Sequence, residues 1–279
     1  MLCMTFDNFG RGADFGHGQG KLPPCLFPDQ VPAAEWDRYN EFAITLGHPR
    51  ILQLLRQLGV RTTFFAEGYA AEIHPDEMKQ WSDGGHEIAL HGWKHEMWST
   101  IEDPAHEDEL IAMASGAVEK VTGRRPIGFR PSGLKIGPNT DEILSRHGVR
   151  YVSQVSHRTA EHAARLEEAG ETAKEAQIAS RLPLLPCSDQ MTDVFRIDPA
   201  HGGIFGSVDD VAAYDRLYDE AFAHESARPS EPWVFIAHPF CSGNRGWHGF
   251  ERFMRRITAE FGPAVFKTGA EVALTHEAA

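Results

Sequence analysis

Short apolar runs rich in β-branched and aromatic residues recur along this chain, and each is separated from the next by an amphipathic stretch. The runs are "LCMTF" (2–6), "VRTTFFA" (60–66), "HEIAL" (86–90), "PIGF" (126–129), "VRYVS" (149–153), "LPLLP" (182–186), "WVFIA" (233–237) and "AVFKT" (264–268). Their shortness and the lack of strict alternation predict strands buried on both faces. The stretches between them, at 49–59, 75–85, 107–123, 139–148, 208–225 and 250–262, carry helical spacing. Several begin after Pro, Asp or Asn and stop at Gly, as helix caps require. Strand and helix in alternation give an α/β chain with a parallel sheet and helices outside. Seven or eight such units in 279 residues suit a closed (β/α) barrel related to the TIM barrel.

No fixed-period repeat, low-complexity tract or linker divides the chain, so the expectation is one domain over 1–279. The polar, Ala- and Glu-rich segment 157–180 reads as a helical excursion facing solvent. A net charge of -13 would repel phosphate backbones, which argues against nucleic acid and anionic membrane as partners. Cys3, Cys25, Cys187 and Cys241 lack a C-x-x-C spacing and read as reduced thiols rather than a zinc cluster. There is no membrane-length apolar run and no charged n-region leading into an apolar segment, so the expected location is cytoplasmic.

The residues at the ends of the runs are more informative. Asp7, Glu67, His91, Arg130, Ser153 with Gln154, and His238 each stand at the C-terminal end of a predicted strand. In a parallel barrel all strand C-termini share one rim, so these polar groups converge on one pocket.

Each residue also has a plainer reading. Most histidines are packing or surface residues, but His91 and His95, four apart after a strand, are predicted to share one face of a helical turn and reach one cation. Asp7 is either a turn residue in "FDNFG" or a general base, and Asn8 either a turn residue or a neutral carbonyl ligand. Arg130, made extended by Pro131, is either a surface cation or the partner that keeps Asp7 ionised. His238, behind five apolar residues, is either a buried structural ring or a general acid. Trp93, Trp98, Phe240 and Trp247 are candidate sugar-stacking rings or core.

Taken in order, "MTFDN", "GHEIALHGWKHE", "GFRPSG" and "VFIAHP" resemble successive motifs of the polysaccharide deacetylase (NodB-homology) family, spanning residues 4 to 239. The resemblance implies an irregular (β/α)7 barrel and metal-dependent removal of acyl groups from amide nitrogen. It implies Asp7 as base, His91 and His95 as metal ligands, Arg130 as the residue orienting the base, and His238 as acid. Two departures stand out. The family's first motif resembles "TFDDG", its second Asp a third metal ligand, where this chain has Asn8. The family's Trp-centred motif, whose Asp tunes the acidic His, has no clear match, and Asp189 and Asp193 are the candidates. The stretches 35–65 and 238–257 are similar to a branch holding intracellular peptidoglycan deacetylase-like proteins, cyclic imide hydrolases and allantoinases, which differ in substrate and in metal use.

The resulting expectation is a hydrolase of non-peptide carbon–nitrogen bonds, an N-deacetylase of an amino sugar or related small N-acyl compound. A divalent cation, Zn2+ or else Co2+, Mn2+ or Ni2+, would sit on His91, His95 and Asn8. Backbone N–H groups after Trp93 or near Gly133 are candidate oxyanion donors. The partner expected is a small or oligosaccharide N-acyl substrate, with homo-oligomerisation left open. A cyclic amide or imide hydrolase is the second reading, and a non-catalytic carbohydrate- or partner-binding barrel the third.

Overall fold

A computed structural model describes residues 1–12, 40–157, 180–188, 191–193, 211–227 and 232–275. Six strands form one parallel sheet: β1 (Leu2–Asp7), β2 (Thr63–Ala66), β3 (Glu87–Leu90), β4 (Gly128–Phe129), β5 (Tyr151–Val152) and β8 (Trp233–Ala237). Their order is β5-β4-β3-β2-β1-β8. The two edges are bridged by irregular chain. Leu184 makes a single parallel bridge to Val152, β6 (Val155–His157) pairs with β7 (Cys187–Ser188), and Thr192 bridges to Ile236 on β8. This is the irregular (β/α) barrel that the family resemblance implies, with its seventh stave built from fragments.

Period-two alternation sorts the strand residues into two layers. Leu2, Met4, Phe6, Phe64, Ile88, Leu90, Phe129 and Phe235 face outward into the larger apolar cluster under the helices. Cys3, Phe65, Ala89, Tyr151, Val234 and Ile236 belong to a second cluster inside the curl. The interior phase carries straight on to the rim: Asp7 is four residues past Cys3, Glu67 two past Phe65, His91 two past Ala89, and His238 two past Ile236. Room for Tyr151 inside comes from Gly128, where a Cβ would lie 2.2 Å from the Tyr151 ring.

The covering helices obey their sequence signals. α1 (His48–Leu58) has Pro49 in its first turn and ends on Gly59 in the left-handed region, φ 66°. α2 (Ala70–Ile73) and α3 (Pro75–Asp83) lead to β3. α4 (Pro104–Thr122) is capped by Asp103, whose carboxylate accepts the Ala105 N–H at 2.9 Å. α5 (Thr140–Arg146) and α6 (Val211–Ala227) precede α7 (Trp247–Phe261), which buries Phe250, Phe253, Met254 and Ile257 at helical spacing. α8 (Gly269–Ala273) closes the bottom of the curl: Gly269 N–H donates to Thr63 Oγ1 at 2.7 Å and Ala270 N–H to the Glu87 carboxylate at 3.0 Å.

Two expected strands are reduced to bridges. "AVFKT" forms a 3-10 turn at Pro263–Val265 and then a single bridge from Phe266 to Leu2, below the point where β2 begins to pair with β1. "LPLLP" keeps only the Leu184 bridge, because Pro183 and Pro186 have no N–H to extend a ladder. Of the expected excursion at 157–180, residues 158–179 lie outside the described residues. Cys3, Cys187 and Cys241 are buried free thiols, as read from the sequence, and Cys25 lies outside the described residues.

Candidate active site

The strand-end residues singled out from the sequence all lie at this rim. The strand register decides their neighbours. Asp7 pairs with Phe65 and Ala66 with Leu90, so one step further Glu67 stands beside His91 and two steps past Asp7 lies Phe9. The Phe9 N–H donates to Glu67 Oε2 at 2.8 Å, which ties the loop after β1 to the end of β2. Between Asp7 and Phe9 the chain turns sharply through Asn8 in the left-handed region, φ 63°, a conformation that Asn tolerates better than most residues.

Arg130, fully buried, organises one side. Its Nη1 donates to Asp7 Oδ1 at 2.6 Å and to Thr5 Oγ1 at 2.9 Å, while Nε and Nη2 donate to Ser153 Oγ at 3.1 and 2.9 Å. The guanidinium lies 4.0 Å from the centroid of the Phe65 ring below it. The surface-cation reading of Arg130 is thereby excluded. Its backbone carbonyl accepts from His91 Nδ1 at 2.8 Å, so the lone pair of His91 sits on Nε2, 3.9 Å from Asp7 Oδ2.

His91 and His95 do converge, with ring centroids 5.0 Å apart, but not on a helical turn. Gly92 and His95 both take left-handed backbone, φ 82° and 68°, and the loop is held by Glu96 instead of helix hydrogen bonds. The Glu96 carboxylate accepts the Trp93 N–H at 2.9 Å and the Lys94 N–H at 2.8 Å. A Cβ at Gly92 would come within 2.7 Å of that carboxylate, so the motif needs its glycine. Because the Lys94 N–H is taken by Glu96, the expected oxyanion donor after Trp93 is already committed to holding the loop.

Across the rim, His238 Nδ1 is 2.6 Å from Asp193 Oδ1, and the His238 N–H donates to Asp193 Oδ2 at 2.8 Å. A carboxylate accepts, so Nδ1 carries the proton and Nε2 is left for proton transfer. Ser242 Oγ also donates to Asp193 at 2.5 Å and is hydrogen-bonded to the Tyr218 hydroxyl from α6. Of the two candidate aspartates, Asp193 is the one on His238. The bridge between Thr192 and Ile236 puts it there, a relationship no local pattern carries.

Among the described residues, Glu67, His91 and His95 form a buried group whose ligand atoms all lie within 4.8 Å of one another. Burial pushes His91 down to about 3, aided by the Arg130 and His238 charges, and His95 well below its ordinary value, so both rings are neutral donors near pH 7. Burial pushes the Glu67 carboxyl up to about 8, with the Asp7 and Glu96 charges acting the same way against the Phe9 hydrogen bond. Glu67 Oε1 and Asn8 Oδ1 are buried without a hydrogen-bond partner among the described residues. Two neutral imidazoles and a carboxylate oxygen with unused lone pairs fit a divalent ion of the zinc type. Sequence reading places Glu67 at a strand end without giving it a role; the signal is its interior phase next to His91. Of the candidate stacking rings, Trp98 and Phe240 are core, Trp93 packs on Tyr69 at 5.6 Å, and Trp247 is half-buried beside Arg50.

Residues 37–152 match the family described as "Polysaccharide deacetylase". Among curated proteins, the chain is 35% identical over 117 residues to the peptidoglycan deacetylase-like protein FGM2 of Gibberella zeae, a match covering 41% of this chain and 34% of that one. The chain spans between a third and two fifths of the length of the first curated relatives it matches. Among solved structures, a putative polysaccharide deacetylase from Mycobacterium smegmatis superposes with a TM-score of 0.72 at 23% identity, covering 99% of this chain and 90% of that one. Puue allantoinase superposes with a TM-score of 0.68 at 20% identity, covering 94% and 85%. The two superpositions speak for the fold alone. Residues 37–152 thus match the polysaccharide deacetylase family, and the fold is similar to that of solved proteins described as polysaccharide deacetylases.

Proposed function

We propose that the chain is a metal-dependent hydrolase of carbon–nitrogen bonds outside peptides, removing the acetyl group from an amino sugar or a related small N-acyl compound. The observation that carries this reading is that a base candidate and an acid candidate, Asp7 and His238, each held by its own buried partner, share one rim with a buried set of metal donors. A pure binding barrel has no need of such a pair.

His91 and His95 would hold the cation, with the third donor from Asn8 or its neighbour on β2. When bound there, a divalent cation supplies Lewis acidity at the acyl carbonyl and the attacking water. Asp7 takes the proton of that water, its Oδ2 turned towards His91 and its Oδ1 fixed by Arg130. Thr5 and Ser153 hold the guanidinium, so the carboxylate stays aimed without moving during the reaction. His238 delivers a proton from Nε2 to the departing nitrogen, and Asp193 keeps the ring oriented and balances its charge. The amine then leaves neutral and acetate remains.

The chain's net charge of -13 favours neutral or cationic substrates. A location inside the cell and small soluble amides as substrates belong to this same reading; no described helix is long and apolar enough to cross a membrane. The test is product analysis of purified, zinc-loaded protein on N-acetylated amino sugars, their oligomers, intact chitin and peptidoglycan, and cyclic amides. Acetate from the small substrates at rates above the polymers is expected. A ring-opened acid without acetate would replace deacetylation by cyclic amide hydrolysis, and no product from any substrate would reject catalysis of this kind.

A further inference from the structure

We propose that Glu67, at the end of β2, supplies the anionic ligand of the metal centre, in place of a carboxylate at position 8 of the neighbouring strand. The inference rests on the metal-dependent reading above and deepens it.

Position 8 carries no charge in this chain, and Asn8 sits in a left-handed turn that keeps its amide oxygen buried. A divalent ion held by two neutral rings and an amide oxygen would have no anion in its own shell. Asp7 does not join the group of His and carboxylate ligand atoms that lie within 4.8 Å of one another, which is Glu67, His91 and His95. Glu67 is the nearest other source. The β1-β2-β3 register sets it between the Asn8–Phe9 backbone and His91, and its interior phase aims it into the curl. One carboxylate oxygen, Oε2, is fixed by the Phe9 N–H, and the other, Oε1, is fully buried with no hydrogen-bond partner among the described residues. A carboxylate held through one oxygen by backbone, its second oxygen open towards two imidazoles, is arranged as a metal ligand with its own outer support. A purely structural acid at this depth would be expected to satisfy both oxygens.

The experiment is zinc affinity by chelator competition on the wild type, His91→Ala, Glu67→Gln and the double variant Asn8→Asp/Glu67→Gln. Glutamine keeps an oxygen for the Phe9 N–H, so loop support is preserved while the charge is lost. We expect Glu67→Gln to weaken zinc by on the order of 100-fold, and Asn8→Asp in that background to recover most of the loss. Wild-type affinity in Glu67→Gln, with binding lost in His91→Ala, overturns the role of Glu67 and leaves the metal reading standing. No zinc bound by the wild type overturns the metal reading itself. A double variant no better than Glu67→Gln overturns the exchange between the two positions. Because Glu67→Gln could fail through folding, Glu67→Cys is loaded with cobalt(II) as a second measurement. A thiolate-to-cobalt charge-transfer band absent from the cobalt-loaded wild type places position 67 in the metal shell, and its absence in folded, cobalt-bound variant excludes it.

Discussion

Arg130 and Asp7, 123 positions apart in the chain, form a buried ion pair at 2.6 Å in which the guanidinium is fully enclosed. The pair joins the first and fourth strands of the sheet across the interior of the curl, with Thr5 and Ser153 accepting from other N–H groups of the guanidinium. A buried charge left without its partner is costly, by about 3–5 kcal/mol. Arg130→Met should therefore lower the unfolding free energy by about that much, because Asp7 is left buried alone. Changing Asp7→Leu together with Arg130→Met should recover a large part of the loss. Urea unfolding of the single and double variants checks this, and additive losses would mean that the two groups do not act as a pair. Arg130→Lys keeps the charge but not the fork; it should fold, and its kcat should fall by roughly 100-fold through misplacement of Asp7.

The second pair is His238 with Asp193. If Asp7 is the base and His238 the acid, the pH profile of kcat/KM is bell-shaped. Asp7→Asn should remove the acidic limb and His238→Asn the basic one, each with a loss of roughly 100- to 10,000-fold in rate. Asp193→Asn should resemble His238→Asn in rate while leaving metal content unchanged, since its hydrogen bonds go to His238 and Ser242 and not to the candidate metal donors. Near-wild-type turnover in Asp7→Asn would reject its assignment as base.

These two pairs also show what the sequence could and could not convey. Asp7, His91, Arg130 and His238 were legible because a parallel barrel puts every strand end on one rim, and each stands at the end of an apolar run. Asp193 was legible only as one of two candidates, because it lies in a fragment of the seventh stave, with only a single bridge at Thr192 to place it. Glu67 was visible as a strand-end acid, but its nearness to His91 is a matter of register between β2 and β3, which spacing along the chain does not encode. The helical turn expected from His91 and His95 failed because Glu96 offers the backbone a competing carboxylate and Gly92 accepts the turn this requires.

The metal reading makes its own demand. His91→Ala or His95→Ala should remove bound metal and activity together, with the fold retained, because each supplies one of only a few donors. Elemental analysis beside the activity assay checks it. Active wild-type protein free of metal would overturn it and leave Asp7 and His238 to work without a cation. In the same experiment Asn8→Asp, with Glu67 intact, reports on position 8: tighter metal binding places that side chain in the metal shell, and unchanged affinity in a folded protein removes it.

A last prediction concerns histidines outside the rim. Burial lowers His48 to about 3 and His86 to about 4; His48 accepts the Trp81 indole N–H at 2.7 Å, and His86 meets Thr62 through Nδ1. Both rings are neutral in the folded protein at pH values where the unfolded chain, near 6.5, already takes up a proton. The unfolded state then binds more protons, so stability falls as pH drops below about 6.5 and goes on falling until the folded values are reached. Between pH 7 and 5 each such ring should cost about 2 kcal/mol. The raised carboxyl of Glu87 acts with the opposite sign, since the folded protein holds its proton and loses that advantage as pH rises above the ordinary carboxylate range. Total stability against pH therefore mixes the two, and a difference between variants separates them. His86→Gln removes one titrating ring, so the wild-type advantage over it should shrink by about 2 kcal/mol from pH 7 to 5. Chemical unfolding at the two pH values measures this directly. A difference that does not change with pH would mean that His86 is protonated in the folded state, or that water reaches it at its place beside Thr62.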